Sequence, residues 1–152
     1  MAFAGAASAK DMKGRFGAGG QVSDLGGVGG GLSLNYWVSD LGIQALIGLE
    51  ISGDPDDDGP AEGTTGLGLG LRVKYNIARA NDTNMYALAG ARFGLIDEDA
   101  VIIDIGIGVE HFFTDYFSVA GEVGLGIDVG GDVTSVALGT TLPWGFAFHF
   151  YF

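Results

Sequence analysis

The chain has 152 residues, of which 29 are glycine, 47% are hydrophobic and none is cysteine. The lack of cysteine excludes disulfides, thiolate metal sites and cysteine nucleophiles. The formal net charge of -12 argues against nucleic acid as a partner, because an acidic surface repels phosphate. No apolar run reaches the roughly 18 residues that a membrane-spanning helix requires.

The chain begins with MAFAGAASAK, in which the small residues around Ala7 and Ala9 resemble the end of a secretory signal peptide. The basic start and the long apolar core of a complete signal are missing. We therefore expect residues 1–13 to be either an N-terminal arm or a signal remnant. The domain that follows covers residues 14–152, which is a usual length for one domain.

From residue 14 onward, apolar residues alternate with small or polar ones. In VIIDIGIGVE, residues 101–110, Val and Ile occupy the odd positions, while Asp, Gly and Glu occupy most even ones. A period of two is typical of a β-strand with one apolar face. The pattern predicts eight strands, over about 14–23, 29–38, 41–52, 65–77, 85–96, 101–110, 117–129 and 134–152.

Short turn-forming stretches separate these strands, among them VSDL, RANDTN and FTDY. Short connections make consecutive strands antiparallel hairpins. Eight strands in such a meander close readily into a barrel, because closure removes the exposed strand edges. The interior of an eight-stranded barrel has room only for side chains or one small ligand.

Residue size and charge indicate which face of this barrel points outward. The apolar face consists of large aliphatic and aromatic residues, which eight strands cannot enclose, whereas the other face is mostly Gly, Ala and Ser. Charges on the small-residue face are nearly balanced in sign, as ion pairs inside a lumen require. The predicted lumen network consists of Arg15, Glu50, Arg72, Lys74, Arg92, Asp104, Glu110, Glu122 and Asp128.

The two ends of the predicted barrel differ in composition. Aromatic residues collect at the end that carries both chain termini, here the terminal end, and acidic residues collect in the turns at the opposite, distal end. An aromatic ring is typical of a membrane interface. The predicted fold is therefore all-β, an eight-stranded antiparallel up-and-down transmembrane β-barrel. Its predicted interface aromatics are Tyr36, Trp37, Tyr75, Phe112, Phe113, Tyr116, Phe117, Phe150 and Phe152.

Two stretches carry a family resemblance. GVEHFFTDYFSVAGEVGLG, residues 108–126, resembles the penultimate hairpin of small eight-stranded outer-membrane barrels of the OmpA/OmpX/OmpW type. FAFHFYF, which ends on Phe152, resembles the C-terminal signal that outer-membrane assembly machinery reads. The resemblance covers residues 14–152. It implies location in the outer membrane of a Gram-negative bacterium, contact with membrane lipid and assembly through Phe152. The distal loops are short, which puts the adhesion or receptor activity of many relatives in doubt.

DPDDDG, residues 54–59, matches the start of an EF-hand calcium loop. The candidate ligands are Asp54, Asp56, Asp58 and Glu62. The twelfth position is Thr65, where a bidentate glutamate is needed, and the pattern predicts no flanking helices. The alternatives are a Ca²⁺ site, which would be the only cofactor, and a solvated acidic loop.

The two histidines, His111 and His149, fall on opposite faces by parity, which argues against a shared metal site. We expect His149 to form a hydrogen bond inside the barrel near the terminal end. Barrel enzymes of this kind need a histidine with Ser and Asp near the distal rim, and neither histidine lies there. We therefore predict no enzymatic activity.

Three functions stay open. The first is an integral outer-membrane barrel with a polar, salt-bridge-filled lumen, acting as a structural or interaction protein that packs against protein partners or further copies of itself. The second is a narrow channel, or an OmpW-like transporter of small or hydrophobic solutes. The third is a soluble ligand-binding barrel with inverted faces. Conductance across lipid separates the first two, and solubility without detergent identifies the third.

Overall fold

The computed structural model describes residues 11–23, 30–52, 64–94, 101–128, 135–137 and 144–152. Within these ranges, the side chains of residues 23, 49–52, 64–66, 128, 135–137 and 144 lie outside the description. The strands are β1 Phe16–Ser23, β2 Gly30–Val38, β3 Leu41–Ser52, β4 Thr64–Ala80, β5 Thr83–Gly94, β6 Val101–Phe112, β7 Phe117–Asp128, β8 Ser135–Ala137 and β9 Trp144–Tyr151. Among the described residues, no helix is long and apolar enough to cross a membrane.

The strands form one closed antiparallel barrel. Neighbours in the chain pair from β1 to β7, and β9 pairs with both β7 and β1. Following paired residues once around the barrel from Ser118 leads back to β7 at Asp128, ten residues further along. This stagger corresponds to a strand tilt of roughly 40° and a barrel radius of roughly 8 Å. The interior is therefore wide enough for side chains or one small ligand.

The last predicted strand is described as two segments, β8 and β9, and both pair with β7. Val123 pairs with Trp144 and Gly126 pairs with Ala137. Three residues along β7 thus correspond to seven along the last strand, and the register shifts between the two segments. Because β8 and β9 occupy the same place beside β7, the barrel has eight strands, and the predicted antiparallel up-and-down barrel is confirmed.

The apolar face points outward, as residue size predicts. Alternate Leu, Ile, Val and Phe side chains are exposed on the wall, with Leu71 at 57% and Ile105 at 54%. Among the described side chains, no Asp, Glu, Lys or Arg projects from the wall between the strand ends. The charged residues of the strands lie inside instead.

Tight turns join the strands at the terminal end. Ser39 and Asn81 have positive φ values of 60° and 42° in the two turns that follow β2 and β4. This left-handed conformation suits two-residue hairpin loops. In the turn after β6, the Thr114 hydroxyl accepts hydrogen bonds from the backbone nitrogens of Tyr116 and Phe117. These short connections confirm the hairpins predicted at this end.

Candidate functional site

Ion pairs fill the middle of the lumen. Arg72, which is 1% exposed, donates through Nη1 to Glu122 Oε2 at 2.8 Å and through Nη2 to Asp104 Oδ2 at 3.2 Å. Lys74 lies two residues along β4, on the same face, with Nζ 3.2 Å from Glu122 Oε1. Arg92 Nε donates to Asp104 Oδ2 at 2.9 Å. Strand alternation thus brings five of the predicted network residues together.

Positive and negative charges are equal in number in the described lumen. Leaving one buried charge unpaired costs several kcal/mol, so pairing is a condition for placing any charge here. Apart from His149, the charges in the described part of the network sum to zero. The cations are Arg72, Lys74 and Arg92, and the carboxylates are Asp104, Glu110 and Glu122.

A chain of neutral side chains continues from the ion pairs toward the terminal end. Gln21 Nε2 donates to Glu122 Oε2 at 3.0 Å. Gln44 Nε2 donates to Gln21 Oε1 at 2.8 Å and to Ser33 Oγ at 2.7 Å. Ser33 Oγ lies 2.8 Å from His149 Nε2. Hydrogen bonds therefore connect side chains of five strands across the lumen.

Glu110 accepts most of the hydrogen bonds at the terminal end of this network. Tyr151 OH donates to Glu110 Oε1 at 2.8 Å and Ser118 Oγ donates at 2.5 Å. His149 Nδ1 lies 3.6 Å from the same oxygen. Trp37 Nε1 donates to Tyr151 OH at 3.4 Å. The internal hydrogen bond predicted for His149 is confirmed.

His111 takes no part in this network. It is exposed on the outer wall, where Nδ1 lies 2.9 Å from Thr83 Oγ1. The two histidines therefore lie on opposite faces of the barrel, as parity predicts. In the part of the chain that the structure describes, no group of three or more His, Cys, Asp or Glu could hold a metal ion.

Apolar side chains close the lumen at the terminal end. Met12, Trp37, Phe112 and Tyr151 form one buried cluster, each at most 2% exposed. The prediction that Trp37 and Phe112 are interface aromatics is therefore wrong, because both point inward. Their rings fill a level of the lumen that carries no ion pair. The Trp37 ring lies flat against β3 at Gly42, where an added Cβ would be 2.8 Å from the ring.

The remaining predicted aromatics lie outside the lumen, on the wall or on the turn after β6. Phe117 joins two neighbours, with ring centroids 6.0 Å from Phe113 and 5.0 Å from Phe150. These three rings form a continuous band from the turn after β6 across β7 to β9 at the terminal end. The predicted interface aromatics that lie outside the lumen are Tyr36, Tyr75, Phe113, Tyr116, Phe117, Phe150 and Phe152.

Arg15 does not belong to the lumen network, contrary to its predicted place. It has the parity of the inner face but precedes β1, so it lies beyond the end of the barrel wall. Its Nη1 donates to the backbone carbonyl of Asp115 at 2.5 Å, in an exposed position. Glu50 and Asp128 lie in β3 and β7, but their side chains are outside the description. The predicted calcium ligands Asp54, Asp56, Asp58 and Glu62 lie outside the described residues.

Apart from His149, the uncharged polar residues of the lumen were not predicted individually, although alternation places them on the inner face. Tyr86 is one of them, and its OH donates to Glu122 Oε1 at 2.8 Å. Lys74 Nζ lies 4.7 Å from the centre of the Tyr86 ring, a distance suited to a cation–π contact. Tyr86 and the Gln and Ser residues of the network share one sequence signal. Each places a polar side chain on the strand face that otherwise carries small residues, which could have identified them as lumen residues.

A cavity of about 20 Å³ lies beside the ion pairs, next to Arg72, Asp104 and Glu122 and bounded by Gly124 and Gly145. This is the volume that roughly one water molecule requires.

No protein-family model, curated protein or solved structure matches this chain. The fold and the site together define a class: an eight-stranded antiparallel β-barrel with an apolar outer wall and an ion-paired polar lumen. The assignment to a particular function rests on this geometry.

Proposed function

We propose that the chain is an integral outer-membrane β-barrel with a closed lumen, acting as a structural or interaction protein without enzymatic activity. The observation that carries this proposal is the outer wall. Apolar side chains cover it, and no described strand residue projects a charge from it. Contiguous apolar patches on soluble monomers rarely exceed a few hundred Å², so a wall of this kind favours lipid as its solvent.

The dimensions of the wall suit a bilayer. Strands β3, β5, β6 and β7 each contain 12 residues. At about 3.3 Å per residue and a tilt of roughly 40°, such a strand rises about 30 Å, close to the hydrocarbon thickness of a membrane. The aromatic band at the terminal end resembles the girdle of membrane barrels.

The same proposal includes the location and the partners. Phe152 is 78% exposed at the end of the last strand, where assembly machinery of a Gram-negative outer membrane could bind it. Protein partners, or further copies of the chain, would contact the wall or the turns. Membership of the OmpA/OmpX/OmpW type belongs to this proposal as well. Binding of Ca²⁺ by Asp54, Asp56, Asp58 and Glu62 stays a prediction, which calcium titration of the folded chain tests.

Ile107→Lys tests whether the wall faces lipid. Ile107 is 45% exposed near the middle of the wall, opposite Ala87 and Val123 on the neighbouring strands. A lysine at the midplane of a bilayer costs on the order of 2 kcal/mol or more. We expect a lower folded yield in lipid vesicles, measured as the fraction of protein that shifts mobility on an SDS gel without boiling.

His111→Lys is the matched control, because His111 is exposed on the same strand at the terminal end. A lysine near the interface costs about 1 kcal/mol or less. The proposal fails if both variants fold equally well in vesicles. Folding of the parent chain in plain buffer, without a lipid-dependent form, would instead support the soluble ligand-binding barrel.

Conductance decides between a closed barrel and a narrow channel. The ion pairs leave a cavity for roughly one water beside Arg72, so we expect no steady current in planar bilayers that contain the inserted protein. The mobility shift on the gel shows whether the protein has inserted. An absent current therefore cannot be explained by failed insertion. A steady current, or uptake of small apolar solutes by vesicles, would favour the channel or OmpW-like transporter.

A further inference from the structure

Two buried carboxylates, Glu122 and Glu110, lie at opposite ends of the chain of neutral side chains in the lumen. At one end, Gln21 Nε2 donates to Glu122 Oε2 at 3.0 Å. Glu122 also pairs with Arg72 and Lys74, so it is ionised and can only accept hydrogen bonds. The amide nitrogen of Gln21 therefore has to face Glu122, and its oxygen has to face the next side chain.

The orientation of the Gln21 amide determines which group of Gln44 faces it. Gln21 Oε1 can only accept, so the Gln44 atom that lies 2.8 Å away is the donor Nε2. The same nitrogen carries a second hydrogen and lies 2.7 Å from Ser33 Oγ. Gln44 Oε1 has no hydrogen-bond partner among the described residues, so nothing there opposes this orientation. Gln44 thus donates in both directions, toward Gln21 and toward Ser33.

Ser33 transmits this direction to His149. The described partners of Ser33 Oγ are Gln44 Nε2 at 2.7 Å and His149 Nε2 at 2.8 Å. Because the hydroxyl oxygen accepts from Gln44, its own hydrogen is available for His149 Nε2. A ring nitrogen that accepts a hydrogen bond carries no hydrogen, and a neutral imidazole has one N–H. The hydrogen of His149 is therefore on Nδ1. In a doubly protonated ring, Nε2 would also donate to Ser33, and the Ser33 hydrogen would have no acceptor among these partners.

The other side of the His149 ring requires the same assignment. Nδ1 lies 3.6 Å from Glu110 Oε1, where an N–H is attracted to the carboxylate and a lone pair is repelled. Glu110 Oε1 also accepts from Tyr151 OH at 2.8 Å and from Ser118 Oγ at 2.5 Å. The described Lys and Arg side chains of the lumen pair with other carboxylates. Three neutral groups therefore direct hydrogens at Glu110.

We propose that Gln44 and Ser33 form a directional hydrogen-bond relay that places the single N–H of His149 on Nδ1, facing the buried carboxylate at the terminal end. The ionised Glu122 sets the direction of the relay from the opposite end. The relay supplies Glu110 with a neutral donor where an unpaired buried charge would otherwise be costly. A change of donor at Gln44 on β3 should therefore move the hydrogen of His149 on β9. This relay goes beyond the proposed function and does not depend on whether lipid surrounds the wall.

The ring nitrogens of His149 report where the hydrogen lies. The chain has two histidines, so His111→Gln leaves His149 as the only one. Long-range proton–nitrogen NMR spectra of this folded full-length chain in detergent micelles at neutral pH distinguish a ring nitrogen that carries hydrogen from one that does not. We expect Nδ1 to carry the hydrogen and Nε2 to carry none. An N–H on Nε2, in a neutral or a doubly protonated ring, would overturn the relay.

Gln44→Glu reverses the relay at its middle. The new carboxylate cannot donate, so Ser33 should donate to it and accept from His149 instead. We expect the signal of a nitrogen that carries hydrogen at Nε2. Gln44→Met is the matched control, because it removes the donor without adding an acceptor, and Nε2 should stay without hydrogen. A folded Gln44→Glu variant whose Nε2 carries no hydrogen contradicts the relay.

Ser33→Ala tests the contact with His149 without changing the charge of the lumen. Nε2 loses its donor, so its nitrogen signal should move downfield while the hydrogen stays on Nδ1. Ser118→Ala is the control, because Ser118 bonds to Glu110 and not to Nε2, and the Nε2 signal should keep its position. An Nε2 signal that Ser33→Ala leaves unchanged would refute the relay.

The spectrum of the His111→Gln chain and the Ser33→Ala variant decide the question if Gln44→Glu fails to fold. The mobility shift on an SDS gel shows which variants are folded. Failure of the chain to insert into vesicles would refute the membrane proposal without changing these results.

Discussion

Arg72→Met is expected to lower the free energy of unfolding by about 3 to 5 kcal/mol, because it leaves buried carboxylates without their shared cation. Arg72 bridges Glu122 and Asp104 in the middle of the lumen. Lys74 and Arg92 remain after the substitution, so the described lumen keeps three carboxylates against two cations. Urea unfolding in micelles, followed by the mobility shift, measures the loss.

Arg79→Met removes the same functional group from a less buried ion pair. Arg79 pairs with Asp40 at the terminal end, where the side chains are 22% and 46% exposed. Ion pairs in such positions contribute about 1 kcal/mol or less. The double variant Arg72→Met with Glu122→Gln restores the balance of charge and should recover part of the loss. If Arg72→Met costs no more than Arg79→Met, the lumen ion pairs do not stabilise the barrel.

Gly108→Ala is expected to cost about 3 kcal/mol, from overpacking and a lost hydrogen bond to a charged group. An added Cβ at Gly108 would lie 2.5 Å from the ring of Tyr86 on the neighbouring strand. Tyr86 is fully buried, and its OH donates to Glu122 Oε1 at 2.8 Å. The ring has to move, so the bond to Glu122 and the contact with Lys74 are lost. The same urea titration measures the effect.

Gly121→Ala supplies the contrast for Gly108→Ala, since a Cβ at Gly121 meets nothing within 4 Å. Replacing a strand glycine by alanine without a clash is neutral or stabilises by about 0.5 kcal/mol. Combining Gly108→Ala with Tyr86→Leu should cost less than the sum of the two single changes, because the clash is removed. Equal stabilities of Gly108→Ala and Gly121→Ala would show that the Tyr86 ring does not rest on this glycine.

Local alternation by itself determined the strands and their faces. A period of two is a property of neighbouring residues, so it placed Arg72, Lys74 and Glu122 on the inner face before any contact was known. Residue volume then fixed that face as the inside, because eight strands cannot enclose rows of Leu and Ile. The meander and the closed barrel follow from short turns and the need to pair every edge.

Tertiary structure alone decided which inner residues meet. Arg72 and Glu122 are 50 residues apart in the chain and come together only through the register of the whole barrel. Trp37 was wrongly predicted to lie at the membrane interface. Its position at the terminal end of the barrel does not show whether its ring points outward to the interface or inward to the lumen. Its place against Gly42 depends on the pairing of β2 with β3. Met12 precedes the alternating pattern, so periodicity does not identify it as a lumen residue. Only the folded chain brings its side chain into contact with Trp37, Phe112 and Tyr151.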